Sequence, residues 1–151
     1  MFTEPKKMIE INNLTTNSVN EEFLKNVAEI VAKGENKKDF YLSIVLVGKA
    51  RIRKLNKKYR KKNRVTDVLS FGKDPKIHFV KESNTKEELG EIVICLREVR
   101  KNAKRDNLEF EKALAWVLVH GTLHLLGYSH AESEIEAEKM RKKEKLYLSL
   151  I

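Results

Sequence analysis

The chain contains no glutamine and a single cysteine, Cys95, in 151 residues. One cysteine excludes an internal disulfide framework, and its position at the end of an apolar run fits a small buried side chain. Long apolar runs are missing too. No stretch is long enough to cross a bilayer and the N-terminus carries no signal-peptide pattern, so a cytoplasmic protein without a membrane partner is expected. Internal repeats, a linker and a second domain are also lacking, which leaves residues 1–151 as one small domain with one sizeable core.

Charge, by contrast, is plentiful. Charged residues make up 35% of the chain, and 31 Lys plus Arg stand against 22 Asp plus Glu for a net +9 and a pI near 9.6. That balance favours polyanionic partners. The excess of Lys and Glu, with glutamine absent, resembles a thermophile's surface.

The periodicities predict alternating strands and helices. Met8 to Asn12 alternates as a first strand. Ser18-x-x-Glu21 reads as a capping box ahead of a helix whose inner face is Val19, Phe23, Val27, Ile30 and Val31 and which ends near Gly34. Phe40 to Val47 is a second strand, bounded by Gly48. Ala50 to Arg60 follows as a helix with Ile52, Leu55 and Tyr59 inward and a basic outer face. Val65 to Phe71 and Gly90 to Leu96 are the third and fourth strands, separated by a polar loop containing Pro75, His78 and Asn84. Arg97 to Lys104 is a short basic helix, and Leu108 to Leu126 is a helix apolar all round from Ala113 to Val119, which places it centrally. A last helix, acidic first and basic later as the helix dipole prefers, begins near Ala131. The implied fold class is α/β (α+β), with a mixed sheet of about four strands packed against several helices.

Three of the four histidines fall in His120-Gly-Thr-Leu-His124-Leu-Leu-Gly127-Tyr-Ser-His130. His120 and His124, four apart on a helix, lie one turn from each other on one face. Gly127 can take the left-handed conformation that ends a helix and turns His130 back toward the pair. Three nitrogen donors without a fourth protein ligand nearby match a catalytic metal site, which keeps a position open for water or substrate. The spacing is similar to the zincin-like ligand helix of metzincin proteases. Where those enzymes carry a glutamate base after the first histidine, however, this chain has Gly121.

The same segment, together with Leu55-Asn56-x-x-Tyr59-Arg60, Thr66-Asp67-Val68-Leu69-Ser70-Phe71 and Gly90-Glu91-Ile92-Val93-Ile94, resembles the bacterial YbeY family. The matching blocks run from about Leu55 to His130, in order. The resemblance implies a metal-dependent, single-strand-specific endoribonuclease acting in 16S rRNA 3′-end maturation and ribosome quality control, with rRNA and the small ribosomal subunit as partners. It also implies an α/β arrangement with one antiparallel edge strand. Ser129 departs from the family, which carries Asp before the third histidine, although a serine can still hydrogen-bond or cap the next helix.

On this reading His120, His124 and His130 hold one zinc-like ion per chain, nickel being an alternative, and no small-molecule cofactor is needed. Such an ion acidifies a bound water and polarises a phosphoryl oxygen, which makes His120 catalytic as well as a ligand. Arg60, at the arginine of the family's Tyr-Arg pair, is the second catalytic candidate, since a guanidinium holds a phosphate with two parallel hydrogen bonds. Lys57, Lys58, Lys61, Lys62 and Arg64 complement the helix C-terminus and, with Arg60, are candidates to track an RNA backbone. Thr66 and Asp67 shape the strand entry, and His78 is a loop residue without a metal role. Two rival functions share these residues: a zinc metallopeptidase, opposed by Gly121, and a non-catalytic RNA-binding ribosome-assembly factor with a structural metal.

Overall fold

The computed structural model describes residues 7–72 and 87–151. In chain order the elements are β1 (Lys7–Asn13), α1 (Glu21–Gly34), β2 (Phe40–Val47), α2 (Lys49–Arg60), β3 (Val68–Phe71), β4 (Glu88–Cys95), α3 (Leu96–Arg105), α4 (Phe110–Leu125) and α5 (Glu134–Ser149). The strands form a mixed sheet in the order β1-β2-β4-β3, with β1, β2 and β4 parallel and the edge strand β3 antiparallel to β4.

β2 sits inside the sheet, and all eight of its residues are buried. A strand covered on both faces reads as a continuous run of β-branched and aromatic residues, as Phe40 to Val47 does. Its two faces feed two clusters. Leu42, Ile44 and Leu46, with Ile92 and Ile94 of β4, pack against α1 and α4 in the main core. Val45 and Val47, with Val93 and Cys95, turn the other way, toward Ile52 of α2.

Several helix ends differ from the sequence expectation. The cap of α1 is Asn20, whose Oδ1 accepts from the Phe23 N–H at 3.1 Å, so the Ser18 capping box does not form. The buried stripe of α1 is accordingly Leu24, Val27, Ala28, Val31 and Ala32, with Phe23 and Ile30 only partly covered. Ser133 caps α5 by accepting from the Glu136 N–H at 3.1 Å, which moves the helix start from Ala131 to Glu134. β3 begins at Val68 and not Val65. Before it, the Asp67 carbonyl takes the Cys95 N–H at 2.9 Å and the Asp67 carboxylate accepts from the Asn102 amide at 3.3 Å, so Asp67 shapes the strand entry. The loop with Pro75, His78 and Asn84 lies outside the described residues.

α4 is the central helix. It packs against α1, α3, α5, β3 and β4, and from Ala113 to Leu123 only Trp116 and His120 escape full burial. Gly121 permits the close approach of the sheet: a Cβ there would lie 3.1 Å from Ser70 Oγ and 3.3 Å from Ile92 Cγ2.

Directly across from each other in the β2–β4 register stand Ser43 and Glu91, both buried. The Ser43 hydroxyl donates to Glu91 Oε1 at 3.1 Å, while Oε2 has no partner among the described residues. Burial pushes the Glu91 carboxyl up to about 7, with Glu10 and Glu88 adding repulsion and the Ser43 hydrogen bond opposing. Between its ordinary value of 4.5 and about 7, the folded chain therefore holds a proton that the unfolded chain has released, and stability falls as pH rises through that window. Glu91→Gln keeps the Ser43 contact and removes the titration. It is expected to be more stable than the parent at pH 8 by roughly 2 kcal/mol, or about 6 °C in Tm, and near parity at pH 4.5. Melting both proteins at the two pH values checks this, and equal Tm at pH 8 refutes it.

Candidate metal centre

The end of α4 is built to hold histidines still. After Leu125 the chain turns through Leu126 into Gly127 at φ +102°. The Gly127 N–H reaches the His124 carbonyl and the Tyr128 N–H reaches the Leu123 carbonyl, each at 3.1 Å, a Schellman closure of the helix. This fold-back also brings the Tyr128 carbonyl to His124 Nδ1, 3.0 Å away. A carbonyl can only accept, so the ring proton sits on Nδ1 and the Nε2 lone pair is free.

His120 is oriented in the same way by a different group. Its Nδ1 lies 3.2 Å from Oε2 of Glu144, a buried carboxylate on α5. Donation to Glu144 places the proton on Nδ1 and leaves Nε2 as a donor to an ion, the arrangement that fixes metal-ligating histidines elsewhere. The two Nε2 atoms then face each other across 3.0 Å. Two bare lone pairs at that distance repel, and a cation between them reverses the sign. The spacing suits one: nitrogens about 2.0–2.1 Å from a tetrahedral ion stand roughly 3.3 Å apart. Burial and the neighbouring imidazoles of His120 and His130 push the His124 pKa below its ordinary value despite the Tyr128 hydrogen bond, a shift toward the neutral form that metal binding requires.

His130 meets the same cluster from outside the helix. Its ring lies near-parallel to that of His120, with centroids 5.1 Å apart, and its Nε2 is 3.3 Å from the other Glu144 oxygen. His120, His130 and Glu144 thus present ligand atoms all within 4.8 Å of one another, a group able to hold a metal ion, while His124 joins it through the Nε2 pair. Ser129 accepts the Ala131 N–H at 3.1 Å and so braces the loop carrying His130.

Glu144 was not anticipated from the sequence, although a signal was available. The buried stripe of α5 is Ala137, Met140, Glu144 and Tyr147, spaced three, four and three, and a carboxylate on an inward stripe needs a partner. Tyr147 on that stripe donates to Glu35 at the end of α1, as does Tyr128, at 2.7 Å, while the Lys143 ammonium lies 3.0 Å from the same carboxylate. Burial works to raise the Glu35 carboxyl, but these three donors win and hold it below its ordinary value. The ligand loop is therefore tied to both α1 and α5.

Arg60 closes α2, followed by Lys61 in the left-handed conformation at φ 59°. Its Nη2 donates to the Ser70 carbonyl at 2.5 Å and its guanidinium lies 5.1 Å from the Phe71 ring centroid. Ser70 in turn donates its hydroxyl to the Gly121 carbonyl at 3.3 Å, linking α2, β3 and α4. One cleft of about 450 Å³ is lined by Arg60, Ser70, His120 and His124 together. Lys57, Lys58, Lys61, Lys62 and Arg64 are exposed on the end of α2 and the following loop and do not line it. Among the described residues no helix is long and apolar enough to cross a membrane.

The family model described as endoribonuclease YbeY matches residues 4–151. The chain is similar to the endoribonuclease YbeY of Thermodesulfovibrio yellowstonii, 42% identical over 83% of this chain and 74% of that one. It is also similar to that of Vesicomyosocius okutanii, 38% identical over 93% and 92%. A solution structure from Thermotoga maritima superposes with a TM-score of 0.62 at 30% identity, covering 94% of this chain and 87% of that one.

Proposed function

The chain belongs to the YbeY family of endoribonucleases, and from that premise we propose that residues 1–151 act as one domain hydrolysing single-stranded RNA at the cleft shared by Arg60, His120 and His124. The observation that carries this reading is the meeting, in one 450 Å³ cleft, of a facing Nε2 pair and a guanidinium. His120, His124 and His130 are the proposed ligands of a zinc-like divalent ion, with Glu144 bracing His120 and His130. Bound there, such an ion supplies an acidified water and a polarised phosphoryl oxygen, which removes the need for a side-chain base.

Arg60 stabilises the negative charge that grows on the phosphate oxygens. Its bond to Ser70 holds the guanidinium by one nitrogen, leaving its other donors for two parallel hydrogen bonds to the phosphate. Gly121 moves no proton. Its Cα faces Ser70 and Ile92, so a glutamate there would be driven into the sheet, which speaks against a peptidase. The exposed Lys57, Lys58, Lys61, Lys62 and Arg64 follow the RNA backbone outside the cleft. In the cell the substrate is rRNA, at the 16S 3′ end and on the small ribosomal subunit, in the cytoplasm.

Titration against single-stranded RNA and against casein, each with and without chelator, tests the class of reaction. RNA alone is expected to be cut, and chelator to stop it. Water attack leaves linear phosphate ends and tolerates one deoxyribose at the scissile position, whereas attack by the 2′-OH leaves a 2′,3′-cyclic phosphate and makes that substrate inert. Linear ends are expected. Cyclic ends together with complete resistance would overturn water as the nucleophile while leaving the metal site standing.

A further inference from the structure

We infer that Trp116 is a stacking platform for one nucleobase of the RNA, immediately beside the scissile phosphate. This rests on the nuclease reading of the neighbouring cleft and adds to it a base-binding subsite. Trp116 is 42% exposed on a helix whose neighbouring residues Ala113, Leu114, Ala115, Val117, Leu118 and Val119 are all buried. It precedes His120 by four residues, so the two share a helix face. Their rings are near-parallel, with centroids 5.0 Å apart and planes inclined by 20°. With His130 near-parallel to His120 at 5.1 Å and 17°, the His120 ring stacks with both His130 of the cluster and Trp116 of the groove. A base laid on the indole adds a fourth ring to that series.

The indole also lines a groove of about 390 Å³ between α3 and the start of α4. Its apolar lining includes Val117, buried, and Leu108, half exposed, and its polar lining is Asp67, whose carboxylate accepts from the Asn102 amide, with Arg105 and Asp106. Arg105 and Asp106 pair with each other at 3.0 Å in solvent, with side chains 67% and 49% exposed. The pair is bidentate, with Nη2 also donating to Oδ2 at 3.1 Å, but both side chains stand in solvent that screens it, so a phosphate of the same nucleotide can compete for the guanidinium. An aromatic face for the base beside a cation for the backbone is the combination that single-stranded nucleic acids use. Trp116 lines this groove and stacks on His120, which lines the cleft, and that single ring contact commits the stacked base to the nucleotide next to the one being cut.

A purely supportive Trp116, present only to hold the His120 ring, makes different demands. It would act on metal content and kcat, whereas a platform acts on KM. Trp116 is the only tryptophan in the chain, so its emission reports directly on the groove. The experiment uses the metal-loaded full-length protein and a short single-stranded RNA, with emission followed by stopped-flow mixing before turnover. Emission is expected to change on binding. Trp116→Ala should raise KM roughly 10- to 100-fold, with Trp116→Phe restoring most of it. Metal content should stay at that of the parent. The alanine penalty should persist at raised salt, because stacking releases no counterions, and should vanish for RNA carrying an abasic site at the stacked position.

An unchanged KM in Trp116→Ala overturns the proposal, as does unchanged emission on RNA binding or a loss confined to kcat with metal depleted. Emission is read independently of cleavage. If the parent cuts no RNA the hydrolytic reading fails, and the emission change still decides the platform.

Discussion

His124→Ala is expected to hold well below one equivalent of metal and to lose RNA hydrolysis by about a thousandfold or more, the scale of the several kcal/mol an ion contributes to a phosphoryl transition state. The fold should survive, since His124 sits at the last turn of α4 and the buried residues of that helix precede it. What the substitution removes is one of the two Nε2 atoms that stand 3.0 Å apart, together with the Tyr128 carbonyl's partner. Elemental analysis of the purified variant, beside circular dichroism to confirm the helices, is the measurement. Full occupancy in His124→Ala would assign the ion to His120, His130 and Glu144, which are already within 4.8 Å of one another.

The second large effect is expected at Arg60. Arg60→Ala should retain metal and fold and lose roughly 100- to 1000-fold in kcat/KM, as enzymes do when a single charge-stabilising donor is removed. Stability should change by about 1 kcal/mol, because Arg60 is exposed and what it loses is one cation–π contact over the buried Phe71 ring and one hydrogen bond to a carbonyl. Arg60→Lys should recover little. An ammonium can replace the charge but cannot hold Ser70 with one nitrogen while offering a second donor in the same plane to phosphate. Steady-state kinetics on both variants decide the matter: cleavage like the parent's in either would end the clamp role.

How much of this was legible in the sequence differs by element. β2 was readable to the residue because a doubly covered strand leaves a continuous apolar signature. α4 was readable because its interior run is apolar all round, and the stop at Gly127 because no other residue takes φ +102° cheaply. The cap read at Ser18 and the helix start read near Ala131 both fell short of the real caps, Asn20 and Ser133, because short polar residues crowd together there and only the backbone path selects one of them. Glu144 was missed for a related reason. α5 carries charges along its length, and a lone glutamate among them looks solvated until the packing against α4 shows which way it faces. The C-terminal helix, which the quoted motifs do not reach, thus supplies the carboxylate that touches two of the three histidines. Arg60 was found through resemblance. Its orientation comes from the β3 carbonyl at Ser70, a tertiary contact that local periodicity does not encode.

The knot around Glu35 joins segments that lie far apart in the chain. Tyr147 is 112 positions from Glu35 and Tyr128 is 93, so closing this knot requires ends of the chain that meet only in the finished fold. Contacts of such separation carry a loop-closure entropy that grows with the length of chain between the partners. A chain that has built its sheet but has not docked α5 lacks Glu144 beside His120 and His130, while the Tyr128–Glu35 bond still ties the loop to α1. Local detachment of α5 would take the Glu144 carboxylate from both histidines at once, so the seating of one helix governs how two of the three imidazoles are oriented.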